Sequence, residues 1–158
     1  MTSYTTIASP LGDLLLVGDG TVLTSLSMPG RTKAPAAGDP GPFAEVIRQL
    51  DAYFAGVLTE FDIPFAESGT DFQRRVWHEL DQIPYGTTTT YGALAAQLGL
   101  PRDRIQALGA AIGANPLLLV RPCHRVIGAD GSMRGYAGGV ERKMWLLAHE
   151  GAMQPALF

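Results

Sequence analysis

Residues 117–128 read LLLVRPCHRVIG, and within them Cys123 and His124 stand side by side directly after a proline. A free thiol has a pKa of about 8.5 and is mostly protonated at neutral pH, so a nucleophilic cysteine needs a base or a neighbouring positive charge. His124 is a candidate base, Arg125 adds positive charge that favours a thiolate, and Glu150 is a carboxylate able to orient the histidine. Adjacent side chains point apart in a strand and do not face each other in a helix. Cys123 and His124 therefore need a turn, or a water between them, to exchange a proton, and Pro122 is a reason for a turn at this point. A lone cysteine is by default a small core hydrophobe, and only its neighbours shift the reading towards chemistry. One cysteine in 158 residues excludes an intramolecular disulfide and a thiolate-rich zinc site. The expected setting is reducing and cytoplasmic.

The elements that must carry these residues are mainly helical. Thr70 and Gln73 have the spacing of a capping box, which opens a helix running to about Leu80 and stopped by Pro84. Thr90 can cap a second helix over residues 91–98, closed by Gly99. A third is expected from near Pro101 to Ala114, with Ile105, Leu108, Ala111 and Ile112 on one face. Two short helices joined by a glycine-containing turn outline a helix-turn-helix, an outline shared by helical corners with no DNA role. A short amphipathic helix over residues 142–149 closes the pattern.

The first 68 residues carry no candidate chemistry. Runs at residues 4–8, 13–17 and 21–28, separated by Ser9-Pro10-Leu11-Gly12 and Gly18-Asp19-Gly20, predict an antiparallel meander. The proline- and glycine-rich stretch 29–42 has little to bury and reads as a mobile surface loop. Phe43, Val46, Ile47, Leu50 and Phe54 share one helical face up to Gly56, and residues 61–65 are expected to return as a strand. The expected division is an α/β domain over residues 1–68 and a second, mainly α domain over residues 69–158. The longest apolar runs are far too short to cross a bilayer. The net charge of −3 argues, taken alone, against nucleic acid. It is unevenly spread: residues 1–69 hold three basic and eight acidic side chains, residues 70–158 nine basic and seven acidic. That asymmetry permits DNA contact in the second half without demanding it.

Pro122-Cys123-His124-Arg125-Val126-Ile127-Gly128 resembles the active-site signature of the O6-alkylguanine-DNA alkyltransferases. The likeness extends through Thr70-Asp71-Phe72-Gln73, Val76-Trp77, Ile83-Pro84-Tyr85-Gly86, Thr90-Tyr91, Gly113-Ala114-Asn115-Pro116, Gly135-Tyr136-Ala137-Gly138-Gly139 and Trp145-Leu146-Leu147. Such a resemblance implies a ribonuclease H-like α/β lobe with a small antiparallel sheet. It also implies a C-terminal domain of winged-helix type carrying the helix-turn-helix. The implied activity is irreversible, single-turnover transfer of an alkyl group from O6-alkylguanine, or O4-alkylthymine, to Cys123 after the base is flipped out. No cofactor or metal is implied. The implied partner is double-stranded DNA entered through the minor groove, with neither a membrane nor an obligate protein partner.

Residue by residue, the resemblance makes Cys123 the acceptor, His124 a base acting through water, Glu150 its orienting carboxylate and Asn115 a brace of the turn. Tyr91 would press on the 3′ phosphate and contact the flipped guanine, whose pocket would be Tyr136, Ala137 and the backbone of Val126. Arg74, Arg102 and Arg104 are candidate phosphate contacts. One departure stands out. Family members usually carry, nine residues before Asn115, an arginine that fills the gap left by the flipped base, and here that position is Gln106. Arg104 is the alternative, although two residues along a helix turn it about 200° away. Two other classes compete: a binding-only relative, which would lack the cysteine, and a Cys–His hydrolase, which would regenerate its thiol.

Overall fold

The computed structural model describes residues 2–28, 38–133 and 135–153. Positions 29–37 of the expected proline-rich loop lie outside the described residues. The chain divides into two compact units, the first break falling between Ala66 and Glu67. Pro116–Val120 belongs with the first unit, although it interrupts the second in sequence.

In the first unit, β1 (Ser3–Ile7), β2 (Leu14–Gly18) and β3 (Leu23–Ser27) form an antiparallel meander in the order β1-β2-β3. Ser9 to Gly12 closes the first hairpin through a bond from the Gly12 amide to the Ser9 carbonyl at 3.0 Å. The apolar run of β2 resolves by alternation, with Leu14 and Leu16 buried and Leu15 and Val17 half-buried. A 3-10 turn, Gly41–Phe43, leads into α1 (Ala44–Phe54). The buried aromatic of α1 is Tyr53, which the expected apolar face omitted, while Val46, Ile47 and Phe54 are only half-buried. Its ring packs edge-on to Phe54 and against Phe61.

Residues 61–65 do not form the expected strand. They supply a single parallel bridge, Leu23 to Phe65, flanked by bonds at the Pro64 carbonyl and the Ala66 amide. Pro64 has no amide hydrogen to extend the ladder. Leu117 makes a second parallel bridge, to Leu26, and Leu117, Leu118 and Leu119 are buried there.

The second unit is built from α2 (Asp71–Leu80), α3 (Tyr91–Gln97), α4 (Ile105–Gly113) and α5 (Val140–His149). The capping box at Thr70 is complete: its hydroxyl accepts from the Gln73 amide at 3.1 Å, and the Gln73 side chain accepts from the Thr70 amide at 2.9 Å. Gly69, at φ +84°, turns the chain into this cap, and a Cβ there would lie 2.8 Å from the Trp77 ring. The Trp77 indole nitrogen donates to the Ala111 carbonyl at 2.8 Å and ties α2 to α4. Thr90 caps α3 through the Ala93 amide.

The third helix starts later than expected, because residues Arg102–Arg104 form a 3-10 turn and α4 begins at Ile105. Leu108, Ala111 and Ile112 are buried as expected, but Ile105 is exposed in the first turn. A short parallel pair, β4 (Thr89–Thr90) with β5 (Val126–Ile127), sets the start of α3 beside the chain that follows Cys123. Among the described residues no helix is long and apolar enough to cross a membrane.

Candidate active site

The turn that the Cys-His pair requires is present. Cys123–Arg125 is a 3-10 turn, opened by Pro122 and closed by an Arg125 amide bond to the Pro122 carbonyl at 3.0 Å. Cys123 and His124 are both buried. Burial pushes the Cys123 thiol up to about 11, opposed by the Asn115 amide and by the positive charge of Lys143. Asn115 Nδ2 lies 3.3 Å from Sγ and donates to the Arg121 carbonyl at 3.1 Å. The same carbonyl accepts from the Cys123 amide at 2.8 Å.

His124 Nε2 lies 2.8 Å from Glu150 Oε2. A carboxylate only accepts, so Nε2 carries the proton and Nδ1 is the basic nitrogen. Nδ1 is buried without a hydrogen bond among the described residues. Burial lowers the histidine pKa against the opposing pull of Glu150, which keeps the ring neutral and able to take a proton. Cys123 and His124 share no direct hydrogen bond among the described residues, so proton exchange between them requires a bridging water.

Arg125 corrects an expectation. Its guanidinium binds Glu150 from Nε at 2.8 Å and from Nη2 at 3.0 Å, and donates from Nη1 to the Ile83 carbonyl at 2.6 Å. It therefore neutralises Glu150 rather than serving the thiol. The cation that acts on Cys123 is Lys143, whose Nζ donates to the Val126 carbonyl at 2.6 Å and whose pKa burial pulls down to about 8. The Lys143 signal lies in the periodicity of α5, where Lys143, Leu146 and Leu147 form the buried face and Glu150, the C-cap, continues it. A lysine at a core-facing position is an anomaly that its burial now explains.

The Tyr136 ring stands edge-on to His124 with centroids 6.4 Å apart, and Ala137 beside it is half-buried. Gly139, at φ +97°, then turns the chain into α5. Val126 is buried next to the Cys123–Arg125 turn, and Tyr91, half-buried, opens α3. Gln106 is exposed in the first turn of α4. Arg104 lies in the preceding turn, with its guanidinium 4.9 Å from the centre of the Phe72 ring. Arg74 is paired with Asp71 and donates to the Gly69 carbonyl, whereas Arg102 is exposed. Trp77 is buried, while Trp145 stacks on a half-buried His149 with centroids 4.9 Å apart.

Two profiles of one family match the chain: the ribonuclease-like domain of 6-O-methylguanine DNA methyltransferase over residues 2–66, and its DNA binding domain over residues 71–152. The chain belongs to the 6-O-methylguanine DNA methyltransferase family. Within that family it is 50% identical to a methylated-DNA–protein-cysteine methyltransferase of Mycobacterium bovis, over 99% of this chain and 96% of the relative. The crystal structure of Mycobacterium tuberculosis O6-methylguanine methyltransferase superposes with a TM-score of 0.87 at 50% identity, covering 99% of this chain and 96% of that one. Mycobacterium tuberculosis OGT in complex with DNA matches with a TM-score of 0.88 at 51% identity, covering 97% and 95%. The resemblance expected from the Cys123 motif and the two-part fold, ribonuclease-like then DNA-binding, is thus met over nearly the whole chain.

Proposed function

We propose that this protein repairs DNA by direct reversal, moving the methyl group of O6-methylguanine onto Cys123. The observation that carries the reading is the sole thiol of the chain, set in a 3-10 turn beside a buried histidine whose other nitrogen is held by a carboxylate. His124 Nδ1 takes the thiol proton through a water. Cys123 Sγ attacks the methyl carbon, the carbon–O6 bond breaks, and guanine leaves with O6 as its carbonyl oxygen, taking up a proton at ring nitrogen N1. The product is a thioether, which has no route back to thiol, so each molecule reacts once. Lys143 favours the thiolate as it forms, and Asn115 holds Sγ in line. Tyr136, Ala137 and the Val126 backbone form the base pocket, with Tyr91 at its edge. A lone free thiol suits a reducing compartment such as the cytoplasm.

Chemistry at O6 requires the nucleotide to leave the stack, at a cost of a few kcal/mol. The helix-turn-helix of α3 and α4 presents the surface for this, entering the minor groove, where contacts are tolerant of sequence. Intact-mass analysis after incubation with a methylated duplex tests the reading: one methyl group per protein molecule is expected, mapped to Cys123. Regeneration of free thiol with repeated turnover would instead mark a Cys–His hydrolase.

The pH dependence follows from His124. The ring must be neutral to accept a proton, and its folded pKa lies below the usual 6.5. The transfer rate therefore holds as pH falls through 6.5 and drops only in more acidic solution. A half-maximal rate at 6.5 in a single-turnover pH series would show that a solvated histidine is the base.

Gln106 is the side chain that fills the gap left by the flipped base, and Arg104 holds a phosphate. Arg104 precedes the late start of α4, and its stacking on Phe72 draws it towards α2. A neutral amide lacks the attraction of the electronegative groove and the stacking plane of a guanidinium. Gln106→Arg is expected to tighten binding of methylated duplex severalfold without changing the reaction with free O6-benzylguanine. Arg104→Ala is expected to weaken DNA binding and lower its salt slope by about one phosphate contact. An Arg104→Ala protein that keeps its salt slope but no longer flips the base reverses the two roles.

A further inference from the structure

Arg121 is a full-length guanidinium only 1% exposed, placed where the apolar run that ends at Val120 would continue. Its Nη2 lies 3.2 Å from Glu67 Oε1, its Nε 3.6 Å from Asp81 Oδ1, and its guanidinium carbon 5.6 Å from the centre of the Trp77 ring. A buried ion pair adds little net stability, because an apolar side chain of similar volume is often as stable or more so. What an apolar side chain lacks is direction: nothing would fix its rotation about the chain or the plane of the peptide that follows.

In Arg121 that peptide matters, since its carbonyl accepts from both the Asn115 side chain and the Cys123 amide. The hydrogen bond that reaches the thiol and the amide of its own residue thus meet at one carbonyl. That carbonyl belongs to a residue whose side chain is held by Glu67, by Asp81 at the end of α2 and by the Trp77 ring. We propose that Arg121 is a positioning residue for alkyl transfer: clamped by Glu67, Asp81 and Trp77, it orients the carbonyl that aligns Asn115 and Cys123. The inference rests on the repair reading for its reaction, but not for its effect on the thiol. Released from the clamp, the carbonyl rotates, Asn115 loses its hold near Sγ, and the buried thiol yields its proton less readily.

Two rates measured on the full chain test the clamp. One is alkylation of Cys123 by iodoacetamide from about pH 7 to pH 9; the other is single-turnover removal of methyl from a methylated duplex. Arg121→Met is expected to keep a melting temperature close to wild type while both rates fall about tenfold, the iodoacetamide line dropping in parallel across the pH range. Arg121→Lys, which restores a cation between the two carboxylates, should recover most of the loss. Leu50→Ala, a destabilised variant far from the clamp in sequence and counted in the first unit, should leave the iodoacetamide line where it is. Wild-type rates in Arg121→Met, no recovery in Arg121→Lys, or an equal loss in Leu50→Ala would each overturn the proposal. Should Arg121→Met not fold, Glu67→Gln decides, since its carboxylate is half-exposed: about a threefold fall in both rates is expected, and wild-type rates overturn the clamp. A wild-type protein that takes up no methyl group, yet shows the Arg121-dependent fall with iodoacetamide, defeats the repair reading and leaves the clamp standing.

Discussion

Cys123→Ala is expected to bind methylated duplex as the unsubstituted protein does and to remove no methyl group from it at any protein excess. This is the largest effect expected of a single substitution, because the chain has no second thiol to take over. Alanine removes one buried sulfur atom and leaves the Asn115 bond to the Arg121 carbonyl in place, so the turn should survive. Binding is read by gel shift, and transfer by intact mass together with loss of the lesion from the DNA. Methyl transfer to any other residue of Cys123→Ala would remove Cys123 as the acceptor.

His124→Ala is expected to slow transfer by about 100-fold, with DNA affinity little changed, in keeping with the loss of a positioned general base. The buried thiol, pushed up to about 11, has little thiolate of its own to fall back on. Glu150→Gln behaves differently for a structural reason. An amide can still bond to His124, so the chemical step slows less, but Glu150 also neutralises Arg125 through two hydrogen bonds. Removing that charge leaves a buried guanidinium unpaired, and a loss of about 3 kcal/mol in stability is expected. Both variants lose stability, since removing the fully buried His124 ring leaves a cavity beside Glu150. They separate in rate: measured well below either melting transition, His124→Ala loses far more of it than Glu150→Gln. Single-turnover kinetics well below the melting transition, paired with calorimetry, distinguish them. If neither variant slows transfer, Lys143 and the local dipoles activate the thiol without a base.

The parts of the site that were readable in advance are those encoded by neighbouring residues. Pro122 breaks regular structure, so the Cys123–Arg125 turn follows from local backbone chemistry. The Thr70–Gln73 capping box likewise spans four residues and needs nothing distant to form. Strand positions in the first unit came from alternation and turn residues, and they hold to within two residues at either end. Where a segment depends on a remote partner, local pattern misleads. Residues 61–65 look like a strand, yet Pro64 limits their pairing with β3 to one bridge. Ile105 fits the apolar face of a longer helix, but the 3-10 turn before it shifts the start of α4 and leaves it exposed.

From the sequence alone came the candidate nucleophile, its candidate base, the carboxylate 26 residues on that the structure places against that histidine, and the two-part plan of a ribonuclease-like domain followed by a DNA-binding one. The first three rest on residue chemistry, which acts over a few positions along the chain, and the two-part plan on the resemblance of the Cys123 motif and its flanking segments to the family. Tertiary structure alone decided how the charges are shared. Arg125 could reach either the thiol or Glu150, and packing brought it to Glu150 and the Ile83 carbonyl. Lys143 became the cation acting on the thiol because one face of α5 is buried, and burial makes a charge felt that water would screen. Pro116–Val120 joined the first unit because a backbone bridge to Leu26 formed across 91 residues of chain. No local pattern announces such a contact, since its stabilisation appears only once both segments are folded.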